Sequence, residues 1–219
     1  MMADMYTPAL DTFVLTDAEE VVVKAALATE DPWGWKPGGE QAEVLASLKR
    51  KIQEHHLQRH GGKCCYCRVN LHGAGHFMTD REHVLPKSFD DYRPLSYTMW
   101  NLGVACKRCN MEYKGDKVNF LVDPDDLTRL TDGSNYHFIH PNFDLYRQHL
   151  ARFAQEANEA VMVKYTVVPG SAKGTYTHEY FNLRGLEVDS FDQAQGRDVA
   201  EDVGDAALEV RSLADTFGQ

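Results

Sequence analysis

The sequence predicts an α+β fold in which a four-cysteine metal site holds a short β-hairpin against a helix. Two C-x-x-C pairs lie in the middle of the chain, at 64–67 and 106–109. Segments with the apolar spacing of helices flank them, and short β-branched or aromatic runs lie between and after them. With 219 residues, the chain is long enough for one large or two small domains with a hydrophobic core.

Two helices are predicted before the first cysteine. Residues 16–28 begin with Thr16 and Glu19, which have the spacing of a capping box and therefore indicate a short helix. A longer helix is expected over roughly 40–60, where apolar residues recur on one face. The glycine pair at 61–62 would end this helix.

The stretch between the cysteine pairs begins with a predicted strand, residues 76–85. This strand ends at an adjacent acid and imidazole, Glu82 and His83, and Pro86 cannot continue a regular element. After a loop, the second half of "TMWNLGVACKRCNMEYKGD" is predicted to open a helix at about Cys109.

The pattern of the sequence changes from residue 140 onward. Residues 140–157 read as a loop entering a helix. The segments 160–168 and 174–183 are rich in β-branched and aromatic residues and predict a strand pair joined by "PGSAK". Residues 190–217 carry apolar residues at alternating spacings of four and three, which predicts a long helix with one core-packing face.

Charge is distributed unevenly. The net charge is −10, yet residues 49–117 carry 13 Lys and Arg against seven Asp and Glu, while the rest of the chain carries 10 against 26. A basic centre attracts polyanions locally, although solvated surface charge can produce the same clustering. No apolar run approaches the roughly 18 residues of a membrane span, and the N-terminus lacks signal-peptide features. We therefore expect a cytoplasmic protein with no membrane partner.

The five cysteines indicate a structural zinc site. Paired C-x-x-C units in a chain expected to be cytoplasmic are more typical of metal ligands than of disulfides. Four thiolates suit the tetrahedral preference of Zn²⁺, and the predicted ligands are Cys64, Cys67, Cys106 and Cys109. Cys65 is an alternative first ligand. Its C-x-C spacing to Cys67, however, would strain the short metal-binding loop, or knuckle, that each cysteine pair forms. A redox pair and buried free thiols are the competing interpretations.

Four polar residues would converge if one zinc ion joined the two cysteine knuckles: Glu82, His83, Asn101 and Asn110. The Glu82 carboxylate and the Asn110 amide offer the oxygen atoms that a hard cation prefers. His83 can take a proton from water near neutral pH, and Asn101 can fix the orientation of that base. The alternatives are structural: a surface acid, a core histidine, a turn asparagine and a helix cap.

These residues resemble the HNH, or ββα-metal, nuclease family, with "EH" at 82–83, "NL" at 101–102 and "CN" at 109–110 as the matching motifs. The resemblance implies a zinc-stapled ββα-metal core in which Glu82 and Asn110 bind a catalytic ion. It also implies that the histidine is the general base and that the first asparagine positions it. Many family members have histidine at the last position, and asparagine there implies Mg²⁺ or Mn²⁺ rather than Zn²⁺.

Longer stretches, such as "EHVLPKS" and "WNLGVACKRCNMEYKG", resemble the HNH proteins of Septu and related retron anti-phage systems, which work with an ATPase partner. The chain would then comprise a helical region (1–60), a nuclease core (61–125) and an α/β accessory region (126–219). We expect the substrate to be DNA rather than RNA. An RNA- or tRNA-cleaving ribonuclease and a zinc-stapled adaptor with a vestigial site are the alternatives. Five basic residues are candidates for contacts with substrate phosphates, unless they are only solvated charge: Lys87, Lys107, Arg108, Lys114 and Lys117.

Overall fold

The computed structural model describes residues 4–73, 78–158 and 160–189. Within these ranges the chain is α+β, as predicted, with two small antiparallel sheets. It divides into two compact units, one of residues 1–136 and 140–145, and one of residues 137–139 and 146 onward. None of the helices in the described ranges has the length and apolarity that a bilayer crossing requires.

Two helices begin the first unit, where the sequence predicts them. Helix α1, Asp17–Leu27, starts with a complete capping box, in which Thr16 and Glu19 each accept a hydrogen bond from the other's backbone N–H. Helix α2, Gly39–Arg59, ends just before the glycine pair at 61–62, whose left-handed conformation favours glycine. The two helices and the first sheet share a core that includes Val23, Leu48, Ile52 and Leu102.

The first sheet is an antiparallel hairpin of β1, Thr79–His83, and β2, Leu102–Cys106. Its register pairs Glu82 with Gly103 and places His83 at the end of β1. All five residues of β2 are buried, as expected for a strand that is covered on both faces. Glu82 and His83 are therefore consecutive residues at the end of β1, with their side chains on opposite faces of the strand.

A π-helix, Arg108–Lys114, follows β2 and includes the position where the sequence predicts a helix to open. The first cysteine knuckle lies along the other edge of β2, because the Cys65 N–H donates to the Val104 carbonyl oxygen at 2.9 Å. Strand β2 is thus flanked by β1 on one edge and by the knuckle on the other. This arrangement brings the two cysteine pairs together.

The second unit contains a three-stranded antiparallel sheet in the order β3–β4–β5. Its strands are β3, Leu150–Ala157, β4, Ala160–Val167, and β5, Val188–Asp189. Helix α3, Ala172–Tyr180, follows β4. The predicted helix over 190–217 lies outside the described residues.

Two predictions for the second unit are wrong. The segment expected to enter a helix before residue 157 is β3, and the expected second strand at 174–183 forms most of α3. Ser171 caps α3 by accepting a hydrogen bond from the Gly174 N–H at 3.0 Å. A Cβ atom at Gly174 would lie 2.1 Å from the His149 carbonyl oxygen, so this helix requires glycine at its close approach to the backbone. A C-terminal strand pair is present, but it is formed by β3 and β4.

Candidate metal centre and active site

The four predicted cysteine ligands form one buried cluster. Their sulfur atoms all lie within 4.8 Å of one another, and the Cys109 N–H points to the Cys106 sulfur at 3.5 Å. Four convergent thiols without disulfides fit a tetrahedral zinc ion, so the cluster can hold zinc. Cys65 is not part of the cluster, and burial raises the pKa of its thiol well above the usual range. Within the described residues, the predicted ligand set is the one that the fold assembles.

Glu82 is fully buried at the end of β1. One carboxylate oxygen accepts a hydrogen bond from the Tyr66 hydroxyl at 3.0 Å and pairs with the Lys114 ammonium at 3.1 Å. The other oxygen is buried with no hydrogen-bond partner among the described residues. Burial raises the pKa of Glu82 to about 7, although Lys114 and Tyr66 favour the charged form. Near neutral pH the carboxyl group is therefore partly protonated and partly ionised.

His83 is held in one orientation. Its Nε2 lies 3.1 Å from the Ser96 carbonyl oxygen, and its ring meets the Trp33 ring edge-on at 4.6 Å. Because a carbonyl oxygen only accepts, Nε2 must carry the hydrogen, and the neutral ring has its lone pair on Nδ1. Burial lowers the pKa of His83 to about 3, against the effect of the Ser96 hydrogen bond. The ring is thus neutral near pH 7 with Nδ1 as its proton-accepting nitrogen, and the lowered pKa makes it a weaker base than the group titrating near neutral pH that the sequence predicts.

Asn101 is fully buried and ties the ends of the hairpin together. Its amide oxygen accepts from the Leu85 N–H at 2.7 Å, and its amide nitrogen donates to the Leu85 and Leu95 carbonyl oxygens at 3.3 and 3.4 Å. These bonds fix the backbone directly after His83. The contact to the imidazole is indirect, through the backbone.

Asn110 lies in the π-helix and contacts β1 at Asp80. Its amide nitrogen donates to one Asp80 carboxylate oxygen at 3.1 Å, and Lys107 pairs with the other at 2.9 Å. An open cleft of about 480 Å³, here called the β1 cleft, is lined by these three residues together with Trp33, Arg81 and Met111 among others. Asn110 therefore reaches β1 through Asp80, two residues before Glu82 and on the same face of the strand.

The predicted phosphate-binding residues fall into different environments. Lys87 and Lys107 are about two-fifths exposed and pair with Asp31 and Asp80. Arg108 stacks over the Tyr113 ring, and Lys117 is exposed. Lys114 does not fit its predicted role, because its side chain is only 2% exposed and its ammonium is committed to Glu82. The prediction for Lys114 is corrected from a substrate contact to the buried counter-ion of the acid.

Sequence reasoning missed three residues of this site. Asp80 could have been found from its spacing, since residues two apart on a strand share a face. Tyr66 lies between two of the clustered cysteines, where an aromatic residue carries no signal of its own. Trp33 is distant in sequence, and nothing local indicates that it packs against His83.

Comparison of the chain with protein-family models, with the curated proteins and with the solved structures returns no match in any of the three.

Proposed function

We propose that this chain is a metal-dependent endonuclease of the HNH type that hydrolyses phosphodiester bonds in nucleic acid. One observation carries the proposal. At the end of β1, a neutral histidine with a free lone pair on Nδ1 lies next to a buried carboxylate that has one unpaired oxygen. A base and a hard-cation ligand are the two groups that phosphodiester hydrolysis needs, and here they are consecutive residues of one strand.

In the proposed reaction, His83 takes a proton at Nδ1 from a water molecule as the water oxygen bonds to phosphorus. The bond from phosphorus to the 3′ oxygen breaks, and that oxygen is protonated from solvent. The Ser96 carbonyl stabilises the imidazolium by accepting from Nε2. Asn101 keeps the backbone after His83 in place, so the base stays aligned.

The residues fit a divalent ion such as Mg²⁺ or Mn²⁺. The unpaired Glu82 oxygen lacks the partner that a buried polar atom needs. The hydrogen bond from Asn110 to Asp80 uses the amide nitrogen, so the amide oxygen is the atom that would bind a cation. Glu82 and Asn110 would hold the ion, with Asp80 as a further carboxylate. When bound, the ion neutralises charge that develops on the phosphate.

The defence role and the partner are part of the same proposal. The Septu-like motifs support a cytoplasmic effector that acts with an ATPase, and the net charge of −10 disfavours tight binding of nucleic acid without help. DNA is the first substrate to test, and RNA, including tRNA, is the second.

Cleavage assays on purified protein test the proposal. Zinc-loaded chain is incubated with plasmid DNA or tRNA and Mg²⁺ or Mn²⁺, with and without the proposed ATPase. His83→Ala should abolish cleavage while zinc content and the circular dichroism spectrum stay unchanged. The control is His137→Ala, because His137 is an exposed histidine of the second unit. Equal cleavage by His83→Ala and the parent would refute the assignment.

A zinc-stapled adaptor is the second candidate. The observation that favours it is the Lys114–Glu82 pair, which already supplies a positive charge to the acid. An adaptor would bind its partner equally well with or without His83 and would show no ion-dependent cleavage in any mixture. The same assays therefore separate the two functions.

A further inference from the structure

We propose that the β1 cleft is a subsite for an unstacked nucleobase, with the Trp33 indole as its stacking surface. The nuclease would then act on single-stranded or locally opened nucleic acid. This inference rests on the proposed function for the identity of the ligand as nucleic acid. It adds the structural form of the substrate and a residue that binds it.

Trp33 lies both at the β1 cleft and beside His83. The Trp33 ring lines the cleft and lies 4.6 Å from the ring of His83, centroid to centroid. A base stacked on the indole would therefore belong to a nucleotide next to the scissile phosphate. Stacking on an aromatic side chain is sequence-tolerant, because every base has a π-face.

Two positively charged side chains, Lys49 and Arg81, lie near Trp33 at the cleft. Lys49 lies over one face of the indole, with its ammonium 4.8 Å from the ring centroid and donating to the Trp33 carbonyl oxygen, so a base would stack on the opposite face. Arg81 lines the cleft and is half-buried, and its side chain forms no hydrogen bond or ion pair with any residue in the described ranges, although the neighbouring Asp80 carboxylate attracts its charge. Burial and the neighbouring Arg81 charge lower the pKa of Lys49, against the attraction of Asp31. The planar Arg81 guanidinium, half-buried in the wall of the cleft, is suited to bind a phosphate.

A single strand fits this arrangement better than a duplex. In a duplex the bases are stacked on one another, and an aromatic ring in the wall of a cleft cannot reach their faces. The cations lie around the aromatic ring and the cleft, whereas duplex binding relies on a basic surface that follows two backbones. The acidic net charge of the chain restricts attraction to this region.

Trp33 also packs against Tyr97 and the core shared by the two N-terminal helices, so its replacement needs controls. Trp33→Leu keeps the apolar packing but removes the π-face, and Trp33→Phe keeps both. Trp35→Leu is the matched control, since Trp35 belongs to the same loop but does not line the cleft. Melting temperatures establish that each variant is folded.

Binding is measured without added Mg²⁺ or Mn²⁺, so that no cleavage occurs, by fluorescence anisotropy of a labelled single strand and of the matching duplex. We expect the single strand to bind more tightly than the duplex, and Trp33→Leu to weaken single-strand binding by about tenfold or more. Trp33→Phe and Trp35→Leu should stay within about twofold, since they keep the stacking surface. Equal binding of both forms, or an unchanged Trp33→Leu, would overturn the inference.

A measurement on the unaltered protein covers the case in which Trp33→Leu does not fold. Photo-crosslinking of a single strand that contains 5-iodouracil, followed by peptide fragmentation, should place the crosslink on Trp33. A crosslink confined to other residues contradicts the subsite. If duplex DNA is cleaved in a His83-dependent way while single strands neither bind nor crosslink, this inference fails and the proposed function stands. If His83→Ala cleaves as well as the parent, the proposed function fails whatever Trp33 does.

Discussion

Replacing Lys114 with methionine would remove the positive charge that faces the buried Glu82. The two side chains are 2% and 0% exposed, and the ammonium lies 3.1 Å from the carboxylate oxygen. Methionine fills a similar volume, so the change isolates the charge. The effect on stability depends on whether Glu82 is ionised, and it therefore depends on pH.

The magnitude follows from proton linkage. The pKa of Glu82 is raised from 4.5 to about 7 in the folded protein. The folded state thus binds more protons than the unfolded state between these values, and stability falls as pH rises from 4.5 to 7 and then levels off. Without Lys114 the carboxyl stays protonated to higher pH, so stability keeps falling above pH 7 by about 1.4 kcal/mol per unit. Lys114→Met should therefore cost little at pH 6 and about 3 kcal/mol at pH 9.

Urea unfolding of the zinc-loaded protein at pH 6, 7, 8 and 9, followed by circular dichroism, measures this difference. Lys117→Met is the matched control, because Lys117 is exposed and lies in the same stretch. Its effect should stay within about 0.5 kcal/mol at every pH. A difference between Lys114→Met and the parent that does not change with pH would refute the buried ion pair.

Three further predictions concern other parts of the first unit. Tyr66→Phe removes one hydrogen bond to Glu82 and should lower ion-dependent cleavage about tenfold with zinc content unchanged; full activity would contradict this. Chelation of zinc, or Cys109→Ser, should unfold the knuckles and hairpin, and an unchanged circular dichroism spectrum would argue against a structural site. Burial lowers the pKa of His56 to about 3, so the parent should lose stability as pH falls below 6.5. His56→Leu should reduce that slope by about 1.4 kcal/mol per pH unit in urea unfolding, whereas an equal slope would contradict it.

The elements that the sequence predicted correctly are those with local signals. The capping box at Thr16, the glycine pair after α2 and the two C-x-x-C knuckles each act over a few residues. Of the two segments that were wrong, one depends on its partner strand and the other on a cap just before it. "LARFAQEA" contains good helix formers, but pairing along the whole of β4 makes it a strand. "GTYTHEY" contains β-branched and aromatic residues, yet a serine cap makes it a helix.

The candidate site shows the same limit. The motif resemblance makes Glu82, His83 and Asn110 candidates, because their spacing in the sequence is itself the signal. It does not show that Lys114 turns inward to the acid or that Asn110 bonds Asp80, since both depend on how the π-helix packs against β1. A lysine and an aspartate in a charged segment look like surface residues until this packing is known.

The nuclease claim is tested most directly by the rate at which the zinc-loaded chain, with its proposed partner where required, breaks nucleic acid as Mn²⁺ is added. We predict strand breaks only with the added ion, at a rate that Glu82→Gln lowers by about a hundredfold or more. Cleavage that is independent of the ion, or undiminished in Glu82→Gln, would contradict the assignment of Glu82 and His83 as the catalytic pair.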